Sequence, residues 1–165
     1  MVLNLLSIPS KPIELENPNP IVYAHYTFKG LQAGIFLGSL AGTFVNLYNM
    51  YYSKTEKKFN WIRVGSYARN SILPFIIIID KMCYDRLSSS VIQKNQSRAY
   101  TILKNQGQNL VDDISLGGLL GGAIIGALQG QKSIGSLFIS ASLGGLAGLL
   151  LDFAIVAGKE VANRH

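Results

Sequence analysis

The chain has 165 residues, of which 48% are hydrophobic and 15% are charged, whereas soluble domains carry roughly 25% charged residues. Its formal net charge is +6, but the lysines and arginines stand between long uncharged stretches, which disfavours nucleic-acid binding and favours a membrane protein. The single cysteine, Cys83, excludes an intrachain disulfide and a cysteine-based metal site.

Residues 1–27 are predicted to form an extended N-terminal arm. The start of the chain is apolar but short, and it lacks the basic region of a secretory signal. Glu14 and Glu16, with no arginine nearby, argue against a mitochondrial presequence. Prolines, which interrupt helix interiors, stand at Pro9, Pro12, Pro18 and Pro20. Any signal that targets the protein to an organelle is therefore expected to lie inside the chain.

The first two membrane helices are predicted over about 28–52 and 60–82. The first covers the uncharged stretch Gly30–Ser53, which is long enough to span a bilayer and has aromatic side chains at both ends. The second contains two arginines and Pro74, and its purely apolar centre is too short to span alone. A buried or interfacial helix is the alternative, and a spanning helix kinked at Pro74 is favoured.

A long polar connection, residues 83–111, follows the second helix and is predicted to hold a short surface helix near 97–104. The third and fourth membrane helices are predicted over about 112–130 and 133–158. Only "QGQK" separates them, so they should form a tight antiparallel hairpin. Residues 159–165 are expected to form a C-terminal tail.

Glycines recur every four residues in three of these segments. Residues four apart share one face of a helix, and in lipid such rows of small residues allow close helix packing. The predicted packing glycines are Gly30, Gly34, Gly38, Gly42, Gly118, Gly122, Gly126, Gly130, Gly144 and Gly148. The sequence therefore predicts an all-α fold, a four-helix transmembrane bundle over residues 28–158 with glycine-zipper packing and both termini on one side.

Polar side chains inside the membrane segments are the main candidates for function, because charges at that depth are costly. Arg69 needs polar partners, and an antiparallel bundle would place four at its depth: Asn46, Asn49, Ser140 and Ser142. A carboxylate of a partner protein or a lipid phosphate is the alternative. Asp152 lies too far along the bundle from Arg69, by roughly 16 Å, and matches Lys81 instead.

Enzyme motifs are missing from the sequence. No His, Cys and carboxylate residues stand at metal-ligand spacing, and "GALQGQKS" departs from the phosphate-binding loop because Gln131 separates the glycine from the lysine. No catalytic, cofactor-binding or metal-binding residue is predicted. A structural protein is therefore favoured over an enzyme.

The segment Leu110–Gly158, with "LVDDISLGGLLGG" and "IGSLFISASLGG", resembles the mitochondrial inner-membrane import-translocase family, also called the preprotein and amino-acid transporters. Within that family, the acidic pair before "LGGLLGG" is most similar to the accessory subunit of respiratory complex I that shares the fold. "VGSY", residues Val64–Tyr67, adds a weaker similarity. The import signature also requires an arginine four residues before an aspartate, which this chain lacks.

The resemblance implies a multi-pass protein of the mitochondrial inner membrane, with its termini in the intermembrane space. It implies a non-catalytic accessory subunit of complex I that stabilises the membrane arm or a supercomplex with complex III. The expected partners are membrane-arm subunits and lipids such as cardiolipin, with no cofactor of its own, no nucleic acid and no small-molecule substrate. The alternatives are a subunit of a protein-import channel or small-solute transporter and, third, a soluble glycine-rich helical protein.

Overall fold

The computed structural model describes residues 10–54 and 58–162, and over these residues the protein is all-helical, without strands. A 3₁₀ turn, Pro12–Glu14, precedes five α-helices: α1 (Pro18–Tyr51), α2 (Trp61–Ser88), α3 (Ile92–Lys104), α4 (Gln106–Leu128) and α5 (Ile134–Ala162). Four of them, α1, α2, α4 and α5, are long and apolar enough to cross a membrane. The predicted four-helix membrane fold is therefore confirmed.

The first helix begins at Pro18, ten residues before the predicted start at 28, so the assignment of residues 18–27 to an extended arm was wrong. Pro18 and Pro20 lie in the first turn, where the missing N–H groups have no helical partner and the fixed φ suits a helix. Helix α1 has 34 residues, about 51 Å at 1.5 Å per residue, so it extends beyond the ~30 Å hydrocarbon core.

The described part of the arm, from Ser10 onward, is ordered by Glu14. Its carboxylate accepts hydrogen bonds from the Ser10 hydroxyl at 2.9 Å and the Ser10 backbone N–H at 3.0 Å. The Ser10 hydroxyl, followed by the Lys11 backbone N–H, holds the pKa of Glu14 below its usual range. The arm's residues 1–9 lie outside the described residues.

The connection predicted over 83–111 is largely helical. Helix α2 runs through Pro74 and ends at Ser88, six residues past the predicted end at 82. Helix α3 begins five residues before the predicted 97, and α4 begins at Gln106 rather than at 112. These additional helical turns are stabilised because they bury a small core, made of Val22, Cys83, Leu87 and Ala99. We call the region formed by the start of α1, the end of α2, α3 and the start of α4 the head end.

The four long helices form two antiparallel hairpins, α1–α2 and α4–α5. Gly30 lies beside Ile76 while Gly42 lies beside Val64, which fixes the antiparallel direction of the first pair. The hairpins meet where Gly65 faces Ile139 and Leu143. At the loop end, opposite the head, each hairpin closes with a short connection, one after Tyr51 and one after Leu128.

Candidate functional site

The α1–α2 interface brings backbone against backbone at all four glycines of α1. A methyl group added at Gly34 would lie 2.7 Å from Cα of Ile72, and one at Gly38 would lie 2.6 Å from the carbonyl oxygen of Tyr67. Such distances are well inside the 3.5–4.0 Å optimum for carbon contacts. Only glycine therefore permits this separation of the two helices.

The α4–α5 interface is built from glycines on both helices. Gly118 and Gly122 both face Gly144, and a methyl group at Gly148 would lie 2.7 Å from the Ile114 carbonyl oxygen. Gly126 faces Ser140, where an added methyl would lie 2.8 Å from Cβ. These rows let the two helices lie in close contact, as small residues do in membrane helix pairs.

Gly130 does not belong to this row, although the sequence placed it there. It lies beyond the end of α4, and a methyl group on it would meet no atom within 4 Å. Its φ is +77°, in the left-handed region that glycine adopts without strain. Gly130 therefore serves the turn between α4 and α5.

Two further glycines of α4 face away from the hairpin. Methyl groups added at Gly117 and Gly121 would meet nothing within 4 Å in the structure. They share a face with three exposed apolar side chains, Leu120, Ile124 and Leu128. We call this set, Gly117, Leu120, Gly121, Ile124 and Leu128, the outer face of α4. The bundle itself makes no use of glycine on this face.

A partly buried polar cluster occupies the head end, centred on Asp112. One carboxylate oxygen lies 2.6 Å from the Lys29 ammonium and accepts from the side-chain amides of Gln32 at 3.1 Å and Gln108 at 3.2 Å. Nδ1 of His25 lies 3.7 Å from the other oxygen. Asp112 and His25 side chains are both only 14% exposed. The cluster ties α4 to α1 through a partly buried ion pair.

The sequence did not predict this cluster, because His25 and Lys29 stand far from Asp112 along the chain. A signal was present in α1, where polar residues recur every seven positions: His25, Gln32, Ser39 and Asn46. This period keeps them close to one helix face. The structure buries the last three and half-buries His25.

Asn46 holds the connection between α1 and α2 rather than a partner for Arg69. Its side-chain oxygen accepts from the Asn60 backbone N–H at 3.1 Å, and its amide donates to the Asn60 carbonyl at 3.1 Å. The amide also donates to Gly42 at 3.0 Å. Asn49, one turn further on, is half-buried.

The hydrogen bonds of Arg69 go to Asn70 and Gly135, not to the four polar side chains that the sequence proposed. Nε donates to the Asn70 side-chain oxygen at 3.0 Å, and Nη1 lies 3.4 Å from the Gly135 carbonyl oxygen. Gly135 is in the first turn of α5. The long side chain therefore reaches toward the loop end, as arginines near membrane borders do.

Lys81 pairs with Asp85 in the structure and not, as expected, with Asp152. The Lys81 ammonium lies 2.5 Å from Oδ1 of Asp85, one helical turn along α2, and both side chains are mostly exposed. The i,i+4 spacing makes Asp85 the nearest carboxylate. Asp152 is buried on α5, with 4% of its surface exposed.

Residues 10–54 and 58–162 contain no group of three or more His, Cys, Asp or Glu side chains that could hold a metal ion. Comparison with known protein families and with curated proteins gives no match to this chain.

Proposed function

We propose that the protein is a non-catalytic accessory subunit of mitochondrial respiratory complex I. In this role it stabilises the membrane arm, or contacts with complex III in a supercomplex, as a multi-pass protein of the inner membrane. The resemblance of Leu110–Gly158 motivates the assignment. The single observation that supports an assembly role is the outer face of α4.

Glycine inside a helix is unfavourable by roughly 1 kcal/mol relative to alanine, so its presence needs a packing reason. Gly118 and Gly122 have one inside the hairpin, whereas Gly117 and Gly121 have none among the residues that the structure describes. Membrane helices associate through small-xxx-small faces of this kind. The outer face of α4 is thus suited to a helix of another subunit, which the membrane arm of complex I would supply.

A transport role is less well supported by the interior of the bundle. The larger buried polar side chains of α1 are engaged at opposite ends, Gln32 with Asp112 and Asn46 with Asn60. The other buried polar side chains of the four long helices, among the described residues, are the separate hydroxyls of Ser39, Ser115 and Ser142, the amide of Asn109 and the carboxylate of Asp152. A channel for polar solutes needs a continuous polar lining.

The first test is the migration of the wild-type chain on a blue-native gel of detergent-solubilised mitochondria, with mass spectrometry of the bands. We expect it at very high mass, in the band with NADH-dehydrogenase activity. Migration in a smaller band with protein-import components, away from that activity, would overturn the proposal.

The second test asks whether the outer face of α4 makes the contact. In the double variant Gly117→Leu with Gly121→Leu, the added Cβ atoms have no neighbour within 4 Å in the bundle, so the chain should fold yet leave the high-mass band. Ala41→Leu adds a leucine on an exposed position of α1 and serves as the matched control that stays in the band. Equal migration of the two variants would show that another surface docks the subunit.

A further inference from the structure

A cationic cavity of about 440 Å³ opens at the head end between α1, α2 and α3. Its lining includes three basic side chains, Arg86, Lys94 and Arg98, and the hydroxyls of Tyr26, Ser97 and Thr101. No carboxylate belongs to the lining among the described residues. The cavity therefore combines concentrated positive charge with hydroxyl donors, a set that suits an anion.

Neutral acceptors hold the two arginines in place without cancelling their charge. Nη1 of Arg86 donates to the Tyr26 hydroxyl at 3.0 Å. Nη1 of Arg98 donates to the Ser90 hydroxyl and to the Asn95 side-chain oxygen, each at 3.1 Å. The guanidinium groups are thus positioned by the fold, which lowers the entropy lost when they bind a ligand.

Two carboxylates close to the lining, those of Asp85 and Asp112, are each paired with a lysine outside it. Asp85, which precedes Arg86, pairs with Lys81 at 2.5 Å. Asp112, which lies beside His25 at the inner wall of the cavity, pairs with Lys29 at 2.6 Å. The positive charge of the lining is therefore left to act on a ligand from outside the chain.

The depth of the cavity matches the headgroup layer of a bilayer. Tyr26 adjoins Thr27, whose hydroxyl donates at 2.8 Å to Asp80, the residue that follows the apolar run Ile76–Ile79 of α2. The hydrocarbon core therefore ends close to this level, and the polar headgroup region extends roughly 5–8 Å further on each side. Exposed Ile77 and Ile78 lie just below it on the same helix.

We propose that this cavity binds the phosphate group of an anionic phospholipid. The two guanidinium groups supply forked donors for the phosphate oxygens, and Lys94 adds a third positive charge. The hydroxyl of Ser97 donates to a remaining oxygen, whereas that of Thr101 already donates to the Ser97 carbonyl at 2.9 Å. The acyl chains lie along the exposed apolar surface of α2 on the side of Arg86, which includes Ile78 and Met82. This site does not depend on which larger assembly holds the protein.

The test measures lipid retention by native mass spectrometry on the purified full chain, titrated separately with phosphatidylglycerol, phosphatidylcholine and glycerol 3-phosphate. We expect phosphatidylglycerol to bind at least tenfold more tightly than phosphatidylcholine. The variants Arg86→Gln and Lys94→Gln should each weaken phosphatidylglycerol binding about tenfold, since each removes one charge-assisted interaction.

Lys104→Gln is the matched control, because it removes the same charge from the same helix as Lys94→Gln but outside the cavity. It should change the affinity less than twofold, and all three variants should keep the wild-type unfolding temperature. Equal losses for Lys94→Gln and Lys104→Gln would overturn the site. Equal affinity for phosphatidylcholine would refute the anionic preference, and equal affinity for glycerol 3-phosphate would make the ligand a soluble phosphate ester instead.

Discussion

Adjacent glycines on α4 permit a direct test of how the α4–α5 hairpin is held together. A methyl group at Gly118 would overlap the carbonyl oxygen of Gly144 and lie 3.2 Å from Cα of Gly148. Relief of these contacts requires the helices to separate by about 1 Å. Gly118→Ala should therefore lower the free energy of unfolding by ~1–3 kcal/mol, the usual cost of overpacking.

Gly117→Ala is the control, because the same methyl group one residue earlier meets nothing. It should leave the free energy of unfolding unchanged or raise it by up to ~1 kcal/mol through helix propensity. The assay is pulse proteolysis of the full chain in detergent micelles titrated with SDS, which gives the midpoint of unfolding for each variant. Equal midpoints for Gly118→Ala and Gly117→Ala would refute the backbone-contact reasoning.

Three further outcomes are expected with the same unfolding assay. Single and double variants Lys29→Met and Asp112→Asn should give a coupling energy of ~1–3 kcal/mol, since the ion pair is partly buried; additive losses would contradict the pairing. Asn46→Leu should destabilise by ~1–3 kcal/mol because it leaves the Asn60 backbone groups without their side-chain partner; a silent change would contradict it. Arg69→Leu should lower the free energy of unfolding by less than ~1 kcal/mol, because the one hydrogen bond of Arg69 to another helix, to the Gly135 carbonyl, is long at 3.4 Å. A loss above ~2 kcal/mol would instead indicate that Arg69 is a buried polar residue of the bundle.

The helix-packing glycines could be predicted from sequence because their signal is local and repeated. Glycines that recur every four residues within an uncharged segment predict a helix face without side chains, which packs closely against another helix in a membrane. The same prediction failed at Gly130, where the period continued past the end of the helix. A period alone does not record where a backbone changes direction.

The head end was harder to predict because its determinants are distant in sequence. Lys29 and Asp112 are 83 residues apart, so the sequence around either residue does not predict that they pair. Pro18 and Pro20 predict a later start of α1 than the structure shows, because proline interrupts helix interiors but also suits a first turn. The extension of α2 past residue 82 was also hard to predict, because Cys83 and Leu87 are buried against Val22 and α3, which are distant in sequence.

The most direct measurement of the proposed role is photo-crosslinking in native mitochondrial membranes from a reactive side chain placed at Gly121. This position faces outward from the bundle, and a reactive group there samples whatever covers the outer face of α4. We expect one discrete protein adduct, identified by mass spectrometry as a membrane-arm subunit of complex I. Adducts with lipid alone, or with a component of the protein-import machinery, would contradict the assignment of this protein as an accessory subunit.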